Sequence, residues 1–237
     1  TLKEHKKEIY MSHLKINEKN HLMISGCDTV GLAQTYGTPL IVIDEVYIRD
    51  ICRAYVKELK ESGFDGKVLY ASKAFCCMAI YPILQSEGLG ADTVSYGEMY
   101  TAHKAGFPMK DVYLHGNNKT DKELNYALEL GVAAIVVDSV SELEQLSSLL
   151  SKTGKQAHIL LRINPGIDAH THSYVQTATV DSKFGLGVNN GQAMCAIEYI
   201  MKNPNIILDG FHCHIGSQIF ESEPFMKAAD IVTDFIF

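Results

Sequence analysis

Lys73 is the residue of this sequence best placed to do covalent chemistry. It lies in the run VLYASKAF, directly after an apolar stretch that predicts a β-strand. Barrel enzymes place their catalytic groups at the carboxyl ends of strands. An amine that its neighbours shield from water can attack an aldehyde and form a Schiff base. A solvated surface lysine is the alternative interpretation.

Two histidines share the run GFHCHIGSQ. His212 and His214 are two residues apart in a predicted strand, so we expect both side chains to point to the same side. Such a pair can bind a metal ion, can lie satisfied in the core, or can lie flat against an aromatic cofactor ring. Gly216 and Ser217 follow, and their N–H and hydroxyl groups can donate to a cofactor oxygen.

Three charged residues accompany the predicted strands. Asp92 and Glu98 lie in GADTVSYGE, and Arg162 lies between apolar neighbours in LLRINPG. An unpaired arginine is costly to bury. We therefore expect Arg162 to pair with Asp92, with Glu98 or with a ligand anion, in either a structural or a functional role.

A long polar segment from His170 to Gly187 separates a predicted strand from the next helix. Loops of this length inside compact domains are usually functional or mobile. The segment holds a second histidine pair, His170 and His172, but no cysteine or carboxylate pattern accompanies it. We therefore predict no metal site there.

Short β-rich runs alternate with helical stretches from Lys67 onward and must position these residues. We count six strand–helix pairs, the rhythm of βα units. The predicted strands are nearly wholly apolar, as in a parallel sheet covered on both faces. The predicted elements are Lys67–Ala71, Ala74–Ser86, Thr93–Ser95, Glu98–Ala105, Val112–His115, Asp121–Leu130, Ala134–Val137, Ser139–Lys152, Ala157–Asn164, Gly191–Lys202, Ile206–Ile215 and Pro224–Phe237.

Two architectures suit repeated βα units: an open doubly wound sheet and an eight-stranded barrel. No GxGxxG follows the first strand, and a barrel needs two more units than we count. The sequence stops inside an apolar-periodic helix without a capping residue, so we expect a truncated chain. We expect residues 1–45, with a β-like run at Pro39–Asp44, to contribute to a separate β domain, and residues 46–237 to form the barrel.

Composition favours a soluble globular protein with small-molecule partners. Hydrophobic residues make up 46% of the 237 residues and charged residues 21%, as in globular domains. The net charge of -7 offers no basic surface for nucleic acid or an anionic membrane. No apolar run approaches the roughly 20 residues that cross a bilayer, so we expect a cytoplasmic protein. Six cysteines without CxxC spacing argue against a zinc knuckle and a disulfide framework.

Five segments, in this order and at these separations, resemble the diaminopimelate decarboxylases within the wider alanine-racemase-like decarboxylases. The segments are YASKA, VSYGEMYTAHKAG, HGNNKTDKEL, LRINPGIDAHTHSYVQTATVDSKFG and GFHCHIGSQI. The resemblance runs from Gly26 to the end. Its NPG, TH, SKFG and HCHIGSQ blocks favour this branch over the ornithine and arginine relatives. Phe75, Tyr96 and Ala178 depart from the family's usual residues, and none of these changes removes a catalytic group.

The resemblance implies an alanine-racemase-like (β/α)8 TIM barrel, here cut after about six βα units, that binds pyridoxal 5′-phosphate. Lys73 would attach the cofactor covalently, and His214 would stack on its ring as a second catalytic residue. The other cofactor-binding residues that the resemblance implies are Asp92, Glu98, Arg162 and Ser217. No metal is implied.

The resemblance further implies decarboxylation of meso-2,6-diaminopimelate to L-lysine, the last step of lysine biosynthesis, by a homodimer with active sites at the subunit interface. The family's phosphate loop, its acidic partner for the ring nitrogen and a partner-subunit cysteine come later in the family's sequences, so this fragment alone is expected to be inactive. The alternatives are another basic amino-acid or carboxynorspermidine decarboxylase, a non-catalytic homologue that binds a protein partner, and a metal-dependent barrel hydrolase that uses His212 and His214.

Overall fold

The computed structural model describes residues 13–167, 184–217 and 219–237. These residues form two compact units. The first unit takes the chain up to Tyr70 together with Cys77–Gly90, and the second takes Ala71–Cys76 and the described residues from Ala91 onward. The division at residues 45 and 46 stays a prediction.

The first unit begins with a small antiparallel sheet and continues with helices. Its strands and helices are β1 (Leu14–Ile16), β2 (Leu22–Ile24), β3 (Cys27–Asp28), α1 (Thr29–Tyr36), α2 (Glu45–Glu61) and α3 (Ile80–Ser86). The predicted β-run at Pro39–Asp44 is wrong, because this stretch forms no strand with any of the described residues. Asp44 instead caps α2, where its carboxylate accepts a hydrogen bond from the backbone N–H of Tyr47.

Six strands, each followed along the chain by a helix, form the barrel part of the fold, which confirms the predicted six βα pairs. The strands are β4 (Leu69–Ala71), β5 (Gly90–Thr93), β6 (Val112–Leu114), β7 (Ala134–Val137), β8 (Ala157–Asn164) and β10 (Ile206–His212). The helices after α3 are α4 (Tyr96–Lys104), α5 (Asp121–Leu130), α6 (Val140–Thr153), α7 (Gln192–Met201) and α8 (Glu223–Ile236). A short strand, β9 (Leu186–Gly187), pairs with the end of β8.

The strand order decides between the two predicted architectures. The strands lie side by side in chain order, from β4 through β8 to β10, and the pairings from β5 onward are parallel. A doubly wound sheet would instead reverse its order at a switch point. The winding is that of a (β/α) barrel, so the predicted fold class is confirmed, and the carboxyl ends of the strands meet at one side.

The core of the second unit lies between the sheet and its helices. All four residues of β7 are buried, as are alternate residues of β8 and the inner face of α6. A leucine or isoleucine that is fully buried in this layer stabilises the fold by roughly 1.5–3 kcal/mol. This layer fixes the ends of β7 and β8, which carry site residues.

Several predicted element boundaries are wrong. The strand predicted at Thr93–Ser95 is observed at Gly90–Thr93. The helix predicted from Ala74 begins only at Ile80, which puts Pro82 in the first turn, where no partner is needed for the missing N–H. The strand predicted to reach Ile215 ends at His212. His214 therefore lies beyond the strand, and strand alternation does not determine where its side chain points.

The structure also bears on the state of the cysteines and on the expectation that no segment crosses a bilayer. All six cysteines are free, and Cys52 alone among them is buried. Within the described ranges, no helix combines the length and the hydropathy of a bilayer-spanning segment.

Candidate active site

The ends of the barrel strands bring four of the predicted site residues together. Lys73 follows β4, Asp92 lies in β5, Arg162 lies in β8 and His214 follows β10. The positive charges of Lys73 and Arg162 act on both Asp92 and His214. We refer to these four residues as the Lys73 cluster. The side chains of Lys73 and His214 are exposed, so a ligand can reach them.

Asp92 is the shielded acid of the Lys73 cluster. Burial raises the pKa of its carboxyl to about 6, and the negative charge of Glu98 acts in the same direction, whereas Arg162 and Lys73 oppose the rise. The Oδ1 atom of Asp92 is buried and has no hydrogen-bond partner among the described residues. The Nε2 atom of His115 lies 3.4 Å from it. Asp92 can therefore hold or release a proton close to neutral pH.

Two histidines lie behind Asp92, and only His212 was predicted. His115 follows β6, and its ring contacts that of His212 edge-on with centroids 4.8 Å apart. Burial lowers the pKa of His115 to about 3, and burial also lowers the pKa of His212 to about 4. Both rings are therefore neutral at pH 7. The Nδ1 atom of His212 is buried and unpartnered within the described part of the chain.

Arg162 has a partner that the sequence did not indicate. Its Nη1 donates to Oδ1 of Asp138 over 2.9 Å. The expected pairing with Asp92 or Glu98 stays a prediction, and the charge of Arg162 does act on Asp92. The guanidinium also lies 4.9 Å from the ring centroid of Phe184. Asp138 comes directly after the apolar strand β7, and that position was the available signal.

Glu98 holds the start of helix α4. One of its carboxylate oxygens accepts a hydrogen bond from the backbone N–H of Val94 at 2.8 Å, and the other accepts one from the hydroxyl of Ser95, which caps the helix, at 3.2 Å. Its negative charge still reaches Asp92. Its predicted role toward a cofactor stays a prediction.

The chain beyond β10 carries the last two predicted site residues. His214 is followed by Gly216, whose φ of 134° lies outside the range that residues with a side chain favour, and then by the exposed Ser217. Burial lowers the pKa of the His214 imidazole, and the charges of Arg162 and Lys73 lower it further. His214 borders an open groove of about 420 Å³ that residues of α8, such as Phe225, also line.

The described residues do not support a metal centre. No group of three or more histidine, cysteine, aspartate or glutamate side chains within residues 13–167, 184–217 and 219–237 is arranged to hold a metal ion. His170 and His172 lie outside the described residues. A metal site built on His212 and His214 would thus lack further protein ligands in this part of the chain.

A serine–histidine–aspartate group in the first unit has the residue types of a hydrolase triad. His13 Nδ1 lies 3.0 Å from Ser25 Oγ, and His13 Nε2 lies 3.2 Å from a carboxylate oxygen of Asp50. The Ser25 hydroxyl, however, donates its one proton to Asp44. His13 therefore does not activate Ser25 as a nucleophile. The group fastens the small sheet to the start of α2.

A family model and curated relatives match most of this chain. The model described as "Pyridoxal-dependent decarboxylase, pyridoxal binding domain" matches residues 46–236. A diaminopimelate decarboxylase of Bacillus methanolicus is 47% identical over 215 residues, which are 91% of this chain and 50% of that protein. The enzyme of the same name from Bacillus subtilis is 46% identical and covers 90% of this chain and 49% of the relative. The chain thus spans about half the length of these relatives.

Solved structures give the same result. The crystal structure of a diaminopimelate decarboxylase from M. jannaschii in complex with L-lysine has a TM-score of 0.85 and 36% identity, and the match covers 94% of this chain and 52% of that one. A lysine/ornithine decarboxylase from Vibrio vulnificus, bound to putrescine, matches with a TM-score of 0.68 at 23% identity, which shows the shared fold alone.

Proposed function

This chain belongs to the pyridoxal-dependent decarboxylases, and from that premise we propose that it is part of an enzyme that converts meso-2,6-diaminopimelate to L-lysine and carbon dioxide. The observation that carries the proposal is the Lys73 cluster, in which an exposed amine at a strand end lies within the electrostatic reach of a partly buried carboxyl. The substrate is supported by relatives 41–47% identical to the chain that are named diaminopimelate decarboxylases.

The residues present fit pyridoxal 5′-phosphate. Such a ligand needs an accessible amine for its aldehyde, which Lys73 provides, and polar partners for its ring substituents. Asp92 Oδ1 and His212 Nδ1 are buried without partners in the described part of the chain, and buried polar atoms normally have one. Two open polar atoms on side chains that both feel the charge of Arg162 are consistent with a polar ring ligand.

Each side chain then has a distinct task. Lys73 would hold the cofactor and, once the substrate amine displaces it, would be free to carry a proton. His214 would lie against the ring, while Asp92, Glu98, Arg162 and Ser217 would surround it. When bound, pyridoxal phosphate supplies an electron-withdrawing ring that accepts the electron pair left by the departing carboxylate. Neutral His115 and His212 add no positive charge to the site.

The test uses the full-length enzyme loaded with pyridoxal 5′-phosphate. Borohydride reduction followed by peptide mapping should find the cofactor on Lys73, and meso-diaminopimelate should release carbon dioxide. Lys73→Ala should lose both properties, and Lys110→Ala, which removes an exposed lysine, should keep both. Cofactor attached at another residue, or at none, would refute the assignment of Lys73.

Substrate choice is tested separately from the cofactor site. An enzyme that carries the cofactor on Lys73 but decarboxylates ornithine, lysine or carboxynorspermidine in place of meso-diaminopimelate would support the alternative decarboxylases. The match to the lysine/ornithine enzyme shows the fold alone, so this alternative has less support. An enzyme that binds the cofactor and decarboxylates none of these compounds would point to a non-catalytic homologue.

We further propose a cytoplasmic homodimer with active sites at the subunit interface. The proposal rests on the family resemblance, and the six free thiols suit a reducing compartment. The net charge of -7 gives no reason to expect nucleic acid as a partner. Sedimentation of the full-length enzyme should give twice the monomer mass, and a monomer with full activity would contradict the interface model.

A further inference from the structure

Lys119 is a buried lysine whose three ammonium protons are all used within the protein. Its side chain is 1% exposed. Nζ donates to the carbonyl oxygens of Gly116 at 2.7 Å and Val136 at 2.6 Å, and to Glu142 Oε1 at 2.7 Å. An ammonium group has three N–H donors, so Lys119 has none left for a ligand. Its hydrogen bonds connect the loop after β6, the end of β7 and the start of α6.

A chain of short contacts leads from Lys119 to the Lys73 cluster. The second carboxylate oxygen of Glu142 accepts a hydrogen bond from the backbone N–H of Asp138 at 3.1 Å. The Asp138 carboxylate, 4% exposed, accepts the hydrogen bond from Arg162. The ends of three neighbouring strands, β6, β7 and β8, are thereby held together by one charged network. Arg162 is its last member, and its side chain is 14% exposed.

Stability alone is a poor reason for this network. Burial lowers the pKa of Lys119 and raises the pKa of Glu142, and each partner's charge opposes the shift of the other. Both groups have therefore lost hydration that their attraction must offset. Well-packed apolar side chains in place of such a pair are often as stable or more stable. A network of this kind needs a positional reason, and Arg162 supplies one.

We propose that Lys119 is a positioning residue for Arg162: through Glu142 and Asp138 it holds the guanidinium in the place from which it acts on Asp92 and His214, two other members of the Lys73 cluster. Lys119 touches neither the substrate nor the cofactor. The inference rests on the proposed function, because it assigns Arg162 to the cofactor site. It concerns cofactor binding and not substrate choice.

The experiment separates positioning from stability by comparing a single and a double variant of the full-length enzyme. Lys119→Met leaves Glu142 buried without its partner and should lower Tm. Lys119→Met combined with Glu142→Leu removes both charges and should recover much of that loss. For each variant we would measure Tm without cofactor, the Kd for pyridoxal 5′-phosphate on reloading, and the pH profile of the visible absorbance of the bound cofactor.

The control removes a comparable ion pair elsewhere. Glu87 is bound by Arg49 and Arg53 within the first unit, with contacts of 2.8 Å, whereas Arg162 belongs to the second unit. Glu87→Gln should lower Tm and leave the cofactor Kd and the absorbance profile unchanged. It shows how far loss of an ion pair alone affects cofactor binding.

The double variant distinguishes a positioning role of the Lys119–Glu142 pair from a purely structural one. We expect its Tm to approach the wild-type value while the cofactor Kd stays raised by roughly tenfold or more, as is typical when supporting contacts behind a binding residue are lost. A double variant with both Tm and Kd restored would overturn the proposal and make the pair structural. If the double variant does not fold, Lys119→Gln with Glu142→Gln is judged by the same criterion. A wild-type enzyme that binds the cofactor but does not release carbon dioxide from diaminopimelate would refute the proposed substrate and leave this inference standing.

Discussion

Replacing Asp92 with asparagine should stabilise the folded apoprotein at alkaline pH and have little effect in acid. Folding raises the pKa of this carboxyl from 3.8 to about 6, so the folded protein binds the proton more tightly than the unfolded chain. The contribution of Asp92 to the free energy of unfolding therefore falls as the pH rises from 3.8 to about 6, and it is constant above that range. Asparagine has nearly the same shape as the protonated acid and never ionises.

The structure sets the size of this effect. Each pH unit between the two pKa values is worth about 1.4 kcal/mol, which gives an upper limit of about 3 kcal/mol at pH 8. The Asp92 side chain is 27% exposed, and the remaining contact with water reduces the effect below that limit. A gain of about 1 to 3 kcal/mol at pH 8, shrinking to near zero at pH 4, is the expected result.

Urea unfolding of the full-length apoprotein at a series of pH values measures this difference. The histidines near Asp92 are present in both proteins, so their titration cancels when the two curves are subtracted. Asp65→Asn, at an exposed position, serves as the control and should show no pH-dependent gain. A gain independent of pH, or a loss of stability at pH 8, would show that Lys73 and Arg162 already stabilise the ionised form fully, and the reasoning would be refuted.

Two further predictions concern the neighbours of Asp92 and Arg162. Because folding lowers the pKa of His115 from 6.5 to about 3, the protein should lose stability as the pH falls below about 6.5. The Tm values at pH 5 and pH 7 should therefore differ less in His115→Asn than in the wild type. An unchanged difference would show that His115 is not responsible. Gly185→Ala places a Cβ 3.2 Å from Arg162 Cγ at a φ of +73°, so it should cost about 1 to 3 kcal/mol and weaken cofactor binding. Gly131→Ala, with a φ of +64° and open space around the Cβ, should cost stability alone, and equal cofactor Kd values in the two variants would contradict the steric argument.

Much of the fold could be predicted because local signals agreed with packing. The apolar run of β7 is buried along its whole length. Helix α5 begins with a capping box between Thr120 and Glu123 and ends at Gly131 in the left-handed conformation, and its predicted bounds are those observed. The errors arose where one residue outweighed the pattern. Pro82 fits only an early turn of a helix, and it delayed the start of α3.

The site was predictable in its residues and less so in its pairings. Position after an apolar strand marked Lys73, and a charge between apolar strand residues marked Arg162, but the partner of Arg162 depends on strand register. Val137 lies opposite Leu161 in the parallel pairing, so the next residues along the two strands, Asp138 and Arg162, come out side by side. Register depends on contacts between distant parts of the chain, and one sequence does not reveal it. The contact between the rings of His115 and His212 was hidden for another reason: it joins β10 to the end of β6, which are not neighbours in the sheet.

The side-by-side order of the strands also bears on how the protein is made. Residues paired between β5 and β6, and between β6 and β7, are about 20 positions apart in the chain, so we expect β6 and β7 to find their partners soon after they leave the ribosome. Folding that depends on such short loops is fast, and the sheet can grow from its amino-terminal side during translation. Until the next strand has been made, the last strand of the growing sheet has one unpaired edge. A pause in synthesis at that stage would favour association between nascent chains.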